Sequence, residues 1–150
     1  MNKKQIINFI RKVFKKEIAD GKMFDVIYKM DDNDICECEI EIFRNHNNVN
    51  MAFILGINKK TFAKKKNKTW CYCIILHEIG HFITSKGKAS GRNEYLAHKW
   101  AYEKAQELNL KNVMKVLKES IIEWKDFTEK TYRIYRNAFN IALKENFINA

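Results

Sequence analysis

The stretch Trp70-Cys71-Tyr72-Cys73-Ile74-Ile75-Leu76-His77-Glu78-Ile79-Gly80-His81-Phe82-Ile83-Thr84 is apolar nearly throughout, interrupted by two histidines and one glutamate. It has helical length, and a helix that is apolar on most sides must be surrounded by the rest of the chain. Ile75, Leu76, Ile79, Phe82 and Ile83 fall on the side away from the histidines and anchor the helix in a core. Trp70, Cys73, Ile74 and Thr84 share the histidine side. Imidazoles in such surroundings need polar partners, because an unpaired buried polar group is costly.

Residues i and i+4 of an α-helix lie about 40° apart on one face, so His77 and His81 can grip one ion from a rigid support. His77-Glu78-Ile79-Gly80-His81 is the HExxH pattern of zinc-dependent hydrolases. Glu78 lies about 100° round the helix from His77, beside the metal, where it accepts a proton from metal-bound water without being a ligand. The competing reading is a pair of core histidines satisfied by hydrogen bonds. A catalytic zinc takes three protein ligands and leaves one position open, so a third ligand is expected downstream. Glu94 is the best candidate. On the helix it opens, Glu94, Ala97, Ala101, Ala105 and Leu108 share one face, and a glutamate followed by small residues lets a neighbouring helix approach closely. Gly80 serves the same approach. An acidic residue in a first helical turn is also favoured by the helix dipole alone. His98, one turn after Glu94, reads equally as a replacement ligand, an outer partner of the ligands, a proton donor or a partly exposed helix histidine. The metzincin pattern is excluded, since Phe82 to Gly87 supplies no glycine and histidine at the required spacing.

The chain has 150 residues, 46% of them hydrophobic, with no proline, and these figures predict a single domain over 1–150. Residues 3 to 19 read as an amphipathic helix ending near Gly21, with Ile6, Ile10, Val13, Phe14 and Ile18 at helical spacing; Arg11 and Lys12 interrupt any signal-peptide core. Strands are expected at 24–30, 35–43 and 49–57, separated by Asp31-Asp32-Asn33-Asp34 and Asn45-His46-Asn47-Asn48. In the second strand cysteine and isoleucine alternate with Glu37, Glu39 and Glu41, so one face is buried and the other wet or open to a basic partner. Helices follow at about 110–124 and 127–146. The fold class is α+β: a small, mostly antiparallel three-stranded sheet with an N-terminal helix, the HExxH helix and C-terminal helices. Cys36-x-Cys38 and Cys71-x-Cys73 do not suit a secreted disulfide framework; reduced thiols in a cytoplasm are the simplest account, and a four-thiolate zinc lacks its usual spacing. Tyr132, Tyr135 and His98 are the candidates for stabilising an oxyanion.

At HEIGH and Glu94-x-x-Ala97-x-x-Trp100-Ala101 the chain resembles the ImmA/IrrE metallopeptidases of prophages, mobile elements and bacterial stress responses, over roughly residues 50 to 108. The resemblance implies a gluzincin-like fold in which His77, His81 and Glu94 ligate zinc and Glu78 is the general base. It also implies a sheet edge that aligns an extended substrate beside the site. The implied substrate is a helix-turn-helix transcription repressor, cut in the cytoplasm. The resemblance departs in two respects: the 150 residues are expected to hold none of the extra domains of larger relatives, and the stretch between His81 and Glu94 is short and basic.

The net charge is +10. Lys59, Lys60, Lys64, Lys65, Lys66 and Lys68 precede the metal helix, and Lys86, Lys88 and Arg92 follow it. They read as a solvated surface, as steering for an acidic or DNA-bound partner, or as direct phosphate contacts. The sequence therefore predicts a cytoplasmic Zn2+ endopeptidase acting on a protein substrate. Its rivals are a catalytically silent module that grips a host protein or nucleic acid through its basic surface, and a closed structural zinc site.

Overall fold

The computed structural model of the protein describes residues 1–29, 38–59, 62 and 68–149. The expected turn at Asp31 to Asp34, Cys36, Glu37 and Lys60, Lys64, Lys65 and Lys66 lie outside them. The fold is α+β, with contacts clustering into two compact units, Met1–Glu78 and Ile79–Ala150.

In the first unit α1 (Lys3–Val13) starts on a capping box, Asn2 accepting from the Gln5 amide and Gln5 from the Asn2 amide. The expected helix over 3–19 is broken: Phe14, at φ −107° and ψ 14°, separates α1 from α2 (Lys15–Ala19). Phe14 is fully buried, its ring set edge-on against Phe24 and Phe53. Packing that ring against the sheet takes precedence over continuing the helix. Gly21 then turns the chain at φ +89°, a left-handed conformation suited to glycine.

Three strands follow, β1 (Met23–Lys29), β2 (Cys38–Arg44) and β3 (Asn50–Asn58), in the order β1-β3-β2. β2 and β3 pair antiparallel, while β1 and β3 pair parallel. The sheet is therefore mixed, not mostly antiparallel. β3 carries Phe53, Leu55 and Ile57, all buried, and as the most apolar strand it takes the centre. β2 pairs with it through the Asn45–Asn48 turn, where Asn45 accepts from the Asn47 and Val49 amides and Asn48 adopts φ 61°. β1 is left the other edge, and there its direction is parallel. The alternation expected in β2 holds: Glu39 and Glu41 are exposed, Cys38, Ile40 and Ile42 half-buried as befits an edge strand.

α3 (Lys68–Thr84) runs unbroken through Glu78 into the second unit, which continues with α4 (Gly91–Glu107), α5 (Lys111–Glu123) and α6 (Arg133–Lys144). The last expected helix, 127–146, begins later. Trp124–Asp126 and Lys130–Tyr132 form 3₁₀ turns, and Phe127 is extended, its ring held between Tyr132 and Tyr135. The core of this unit gathers Tyr95, Ile121, Trp124, Phe139 and Ile148 around Ala138 and Ala142. No helix among the described residues is long and apolar enough to cross a membrane.

Candidate metal centre

α3 buries the residues its pattern assigns to the core: Ile75, Leu76 and Ile79 are fully buried and Phe82 nearly so, whereas Ile83 is half-buried. Cys71 and Cys73, the latter on the histidine side, are buried as well. Burial drives the Cys73 thiol up to about 12, so it is protonated and unreactive at neutral pH. His77, Glu78 and His81 are half-buried, open enough for a ligand and covered enough to weaken solvent screening.

α3 and α4 meet at small residues. A Cβ on Gly80 would stand 2.9 Å from both Cα and C of Ala97, so only glycine allows the Ala97 backbone this close. Ala97, Ala101 and Ala105 are fully buried, as the alanine stripe requires. At its start α4 is fixed by Ser90, whose hydroxyl accepts from the Asn93 amide as N-cap. A Cβ on Gly91 would meet Asn137 Cβ at 2.6 Å, so the first turn of α4 also lies tightly on α6. Arg92 pairs with Glu145, just past the end of α6.

That first turn carries Glu94, only 8% exposed. Its Oε2 is 3.2 Å from His81 Nε2. One donor atom from each of His77, His81 and Glu94 lies within 4.8 Å of the others. These three form the one cluster of potential metal ligands among the described residues, and they are the three that the sequence names. Glu78, next to His77 on α3, is not one of the cluster's three residues.

Does the arrangement fit a metal? Zinc bonds of about 2.0–2.1 Å at tetrahedral angles set neighbouring ligand atoms ~3.3 Å apart, close to the His81–Glu94 spacing. His81 Nδ1 is 2.9 Å from Ser85 Oγ. A hydroxyl both donates and accepts. It accepts from Nδ1–H when Nε2 offers its lone pair to a cation, and it donates to Nδ1 when Nε2–H points at Glu94. The donor set, two imidazoles and a carboxylate, is that of a catalytic zinc site with one position left for water. The residues fit.

His98 is used elsewhere. It is 4% exposed, not the partly exposed histidine that was one of its readings, and its Nε2 lies 2.7 Å from the Leu117 carbonyl and 3.1 Å from Ser120 Oγ. A carbonyl only accepts, so Nε2 carries the proton, and the ring leans on Trp124 at 4.7 Å between centroids. Its place is the α4–α5 contact, outside the ligand cluster. The rings of Tyr132 and Tyr135 belong to the aromatic group with Phe127, and Tyr132 is 45% exposed. Of the basic flanks, Lys59, Lys68, Lys86, Lys88 and Arg92 are exposed.

Two residues at the site escape the sequence reading. Ser85 was detectable as a hydroxyl one turn after His81. Asn93 was signalled only by its place three residues after Ser90. Compared with protein-family models, with curated proteins and with solved structures, the chain matches none.

Proposed function

We propose that the protein is a zinc-dependent endopeptidase. The observation that carries this reading is the convergence of His77, His81 and Glu94 from two helices held together by Gly80 and Ala97. Bringing a carboxylate and two imidazoles together with limited solvent is electrostatically sensible when a cation joins them.

Zinc held by His77, His81 and Glu94 would supply Lewis acidity, making a water more acidic and a substrate carbonyl more electrophilic. Glu78 takes the proton of the attacking water and returns it to the amide nitrogen that leaves. Ser85 fixes the His81 ring through Nδ1. The resemblance at HEIGH and at Glu94-x-x-Ala97 supports an ImmA/IrrE-type peptidase whose substrate is a helix-turn-helix repressor in the cytoplasm.

The test uses the purified chain. Elemental analysis is expected to find one zinc per chain, and a repressor substrate to be cut. Glu78→Gln is expected to keep the metal and lower cleavage by about 10²–10⁴-fold. Cleavage undiminished in Glu78→Gln removes the proposed base, and zinc-free active protein removes the whole reading. Metal retained with no cleavage of any repressor by the unaltered chain would turn the reading toward a binding module.

A further inference from the structure

We infer that Asn93 is a positioning residue of the metal centre: its side-chain amide ties down the connection between α3 and α4 and thereby sets where Glu94 meets His81. The inference rests on the zinc reading above.

The connection runs from Ser85 to Ser90, between the last turn that carries His81 and the first turn that carries Glu94. It has little of its own to hold it. Lys86, Gly87, Lys88 and Ala89 are exposed, and Gly87 sits at φ +70° with nothing within 4 Å of where a Cβ would stand. No apolar side chain in it is buried. What anchors it is polar. Asn93 is 8% exposed, and its Nδ2 donates to the Lys88 carbonyl at 2.8 Å and the Lys86 carbonyl at 3.2 Å. Both amide protons are thus used on one side of the loop, while the Asn93 backbone amide donates to Ser90 Oγ at 3.1 Å.

The consequence follows from chain order. Lys86 adjoins Ser85, whose hydroxyl meets His81 Nδ1, and Asn93 adjoins Glu94, whose carboxylate meets His81 Nε2. A route from one ring nitrogen to the other therefore closes through Ser85, the Lys86 carbonyl, the Asn93 side chain and Glu94. Within it the Asn93 amide is the link that joins the two helix ends without passing along the exposed loop. Asparagine suits the place because two N–H donors face two carbonyls; aspartate, of the same shape, offers acceptors only. Partners that orient metal ligands in this way typically change affinity by about 10–100-fold when removed.

The experiment compares zinc affinity, by competition with a chromophoric chelator, and the visible spectrum of the cobalt-substituted protein, for the unaltered chain, Asn93→Ala, Asn93→Asp and Glu145→Ala. The last removes the Arg92–Glu145 pair from the same helix turn and is the control for a merely structural loss. Asn93→Ala and Asn93→Asp are expected to bind zinc about 10–100-fold more weakly and to show a weakened or shifted cobalt band, while Glu145→Ala keeps both. Affinity and cobalt spectrum unchanged in folded Asn93→Ala overturns the inference. So does an equal loss in Glu145→Ala. Should the Asn93 variants fail to fold, nitrogen-resolved NMR of the unaltered protein decides: slow solvent exchange of the Asn93 side-chain amide protons is expected, and fast exchange overturns it. If the unaltered chain binds no zinc, the peptidase reading fails first and separately.

Discussion

Glu94 and His98 are four residues apart on α4, both buried, yet they occupy different kinds of surroundings. His98 faces α5, where a backbone carbonyl and the Ser120 hydroxyl meet its Nε2. That arrangement is complete with protein atoms alone. Glu94 lies with two imidazoles of α3, one ligand atom of each of the three groups within 4.8 Å of the others. The contrast separates a polar residue bonded between two helices from one gathered with other potential ligands, within a single helix. His98 is matched to a carbonyl of α5, whereas Glu94 stands with two imidazoles, the nearer at 3.2 Å.

Substitutions on the two sides should separate them, and the largest effect is expected at the ligands. His77→Ala should abolish stoichiometric zinc binding in equilibrium dialysis, while His98→Ala keeps the zinc and lowers unfolding free energy by about 1–3 kcal/mol in urea titration, because a buried acceptor loses its donor. Loss of zinc in folded His98→Ala would erase the distinction. Gly80→Ala comes next: the added methyl meets the Ala97 backbone, so about 1–3 kcal/mol of stability should go, together with metal affinity.

A smaller effect concerns pH. Burial raises Tyr95 and Cys73 to about 12 each, with the Glu145 hydrogen bond also raising Tyr95. Both folded values exceed the unfolded ones, so this contribution is complete below the unfolded pKa values near 9 to 10 and is lost as pH rises from there toward 12. Urea midpoints measured from pH 8 to 11 should fall progressively, and Tyr95→Phe should flatten the slope. The smallest effect is at Glu145, which the Arg92 guanidinium and then the Tyr95 hydroxyl hold below the usual carboxylate range. Its stabilisation is present above the unfolded carboxyl pKa and disappears as pH falls through the lowered one. Because the pair is solvent-exposed, Arg92→Ala should change acid stability only slightly, and less still in high salt.

The candidate site was largely legible because its signals are local. Spacing of four put two histidines on one face, and the small residues Gly80, Ala97, Ala101 and Ala105 marked where helices approach. The elements of the fold were legible from hydrophobic period and turn residues, with boundaries displaced by a few positions. What escaped depends on partners distant in sequence. The break at Phe14 comes from an aromatic contact with Phe24 and Phe53, and nothing in residues 3 to 19 announces it. Strand direction depends on which strand takes the centre, a question of burial that no single strand decides. His98 and Asn93 look like ordinary polar helix residues until the carbonyls of Leu117, Lys86 and Lys88 are brought to them.

The order β1-β3-β2 also bears on how the chain assembles. β2 and β3 are neighbours in sequence and can zip together from their turn, but β1 must wait for a partner that is made after β2. Until then Phe24, Val26 and Tyr28 form an apolar ribbon with open backbone groups. Refolding yield should therefore fall with rising protein concentration, and short early trapping times should label β1 amides while those of β2 and β3 are already protected.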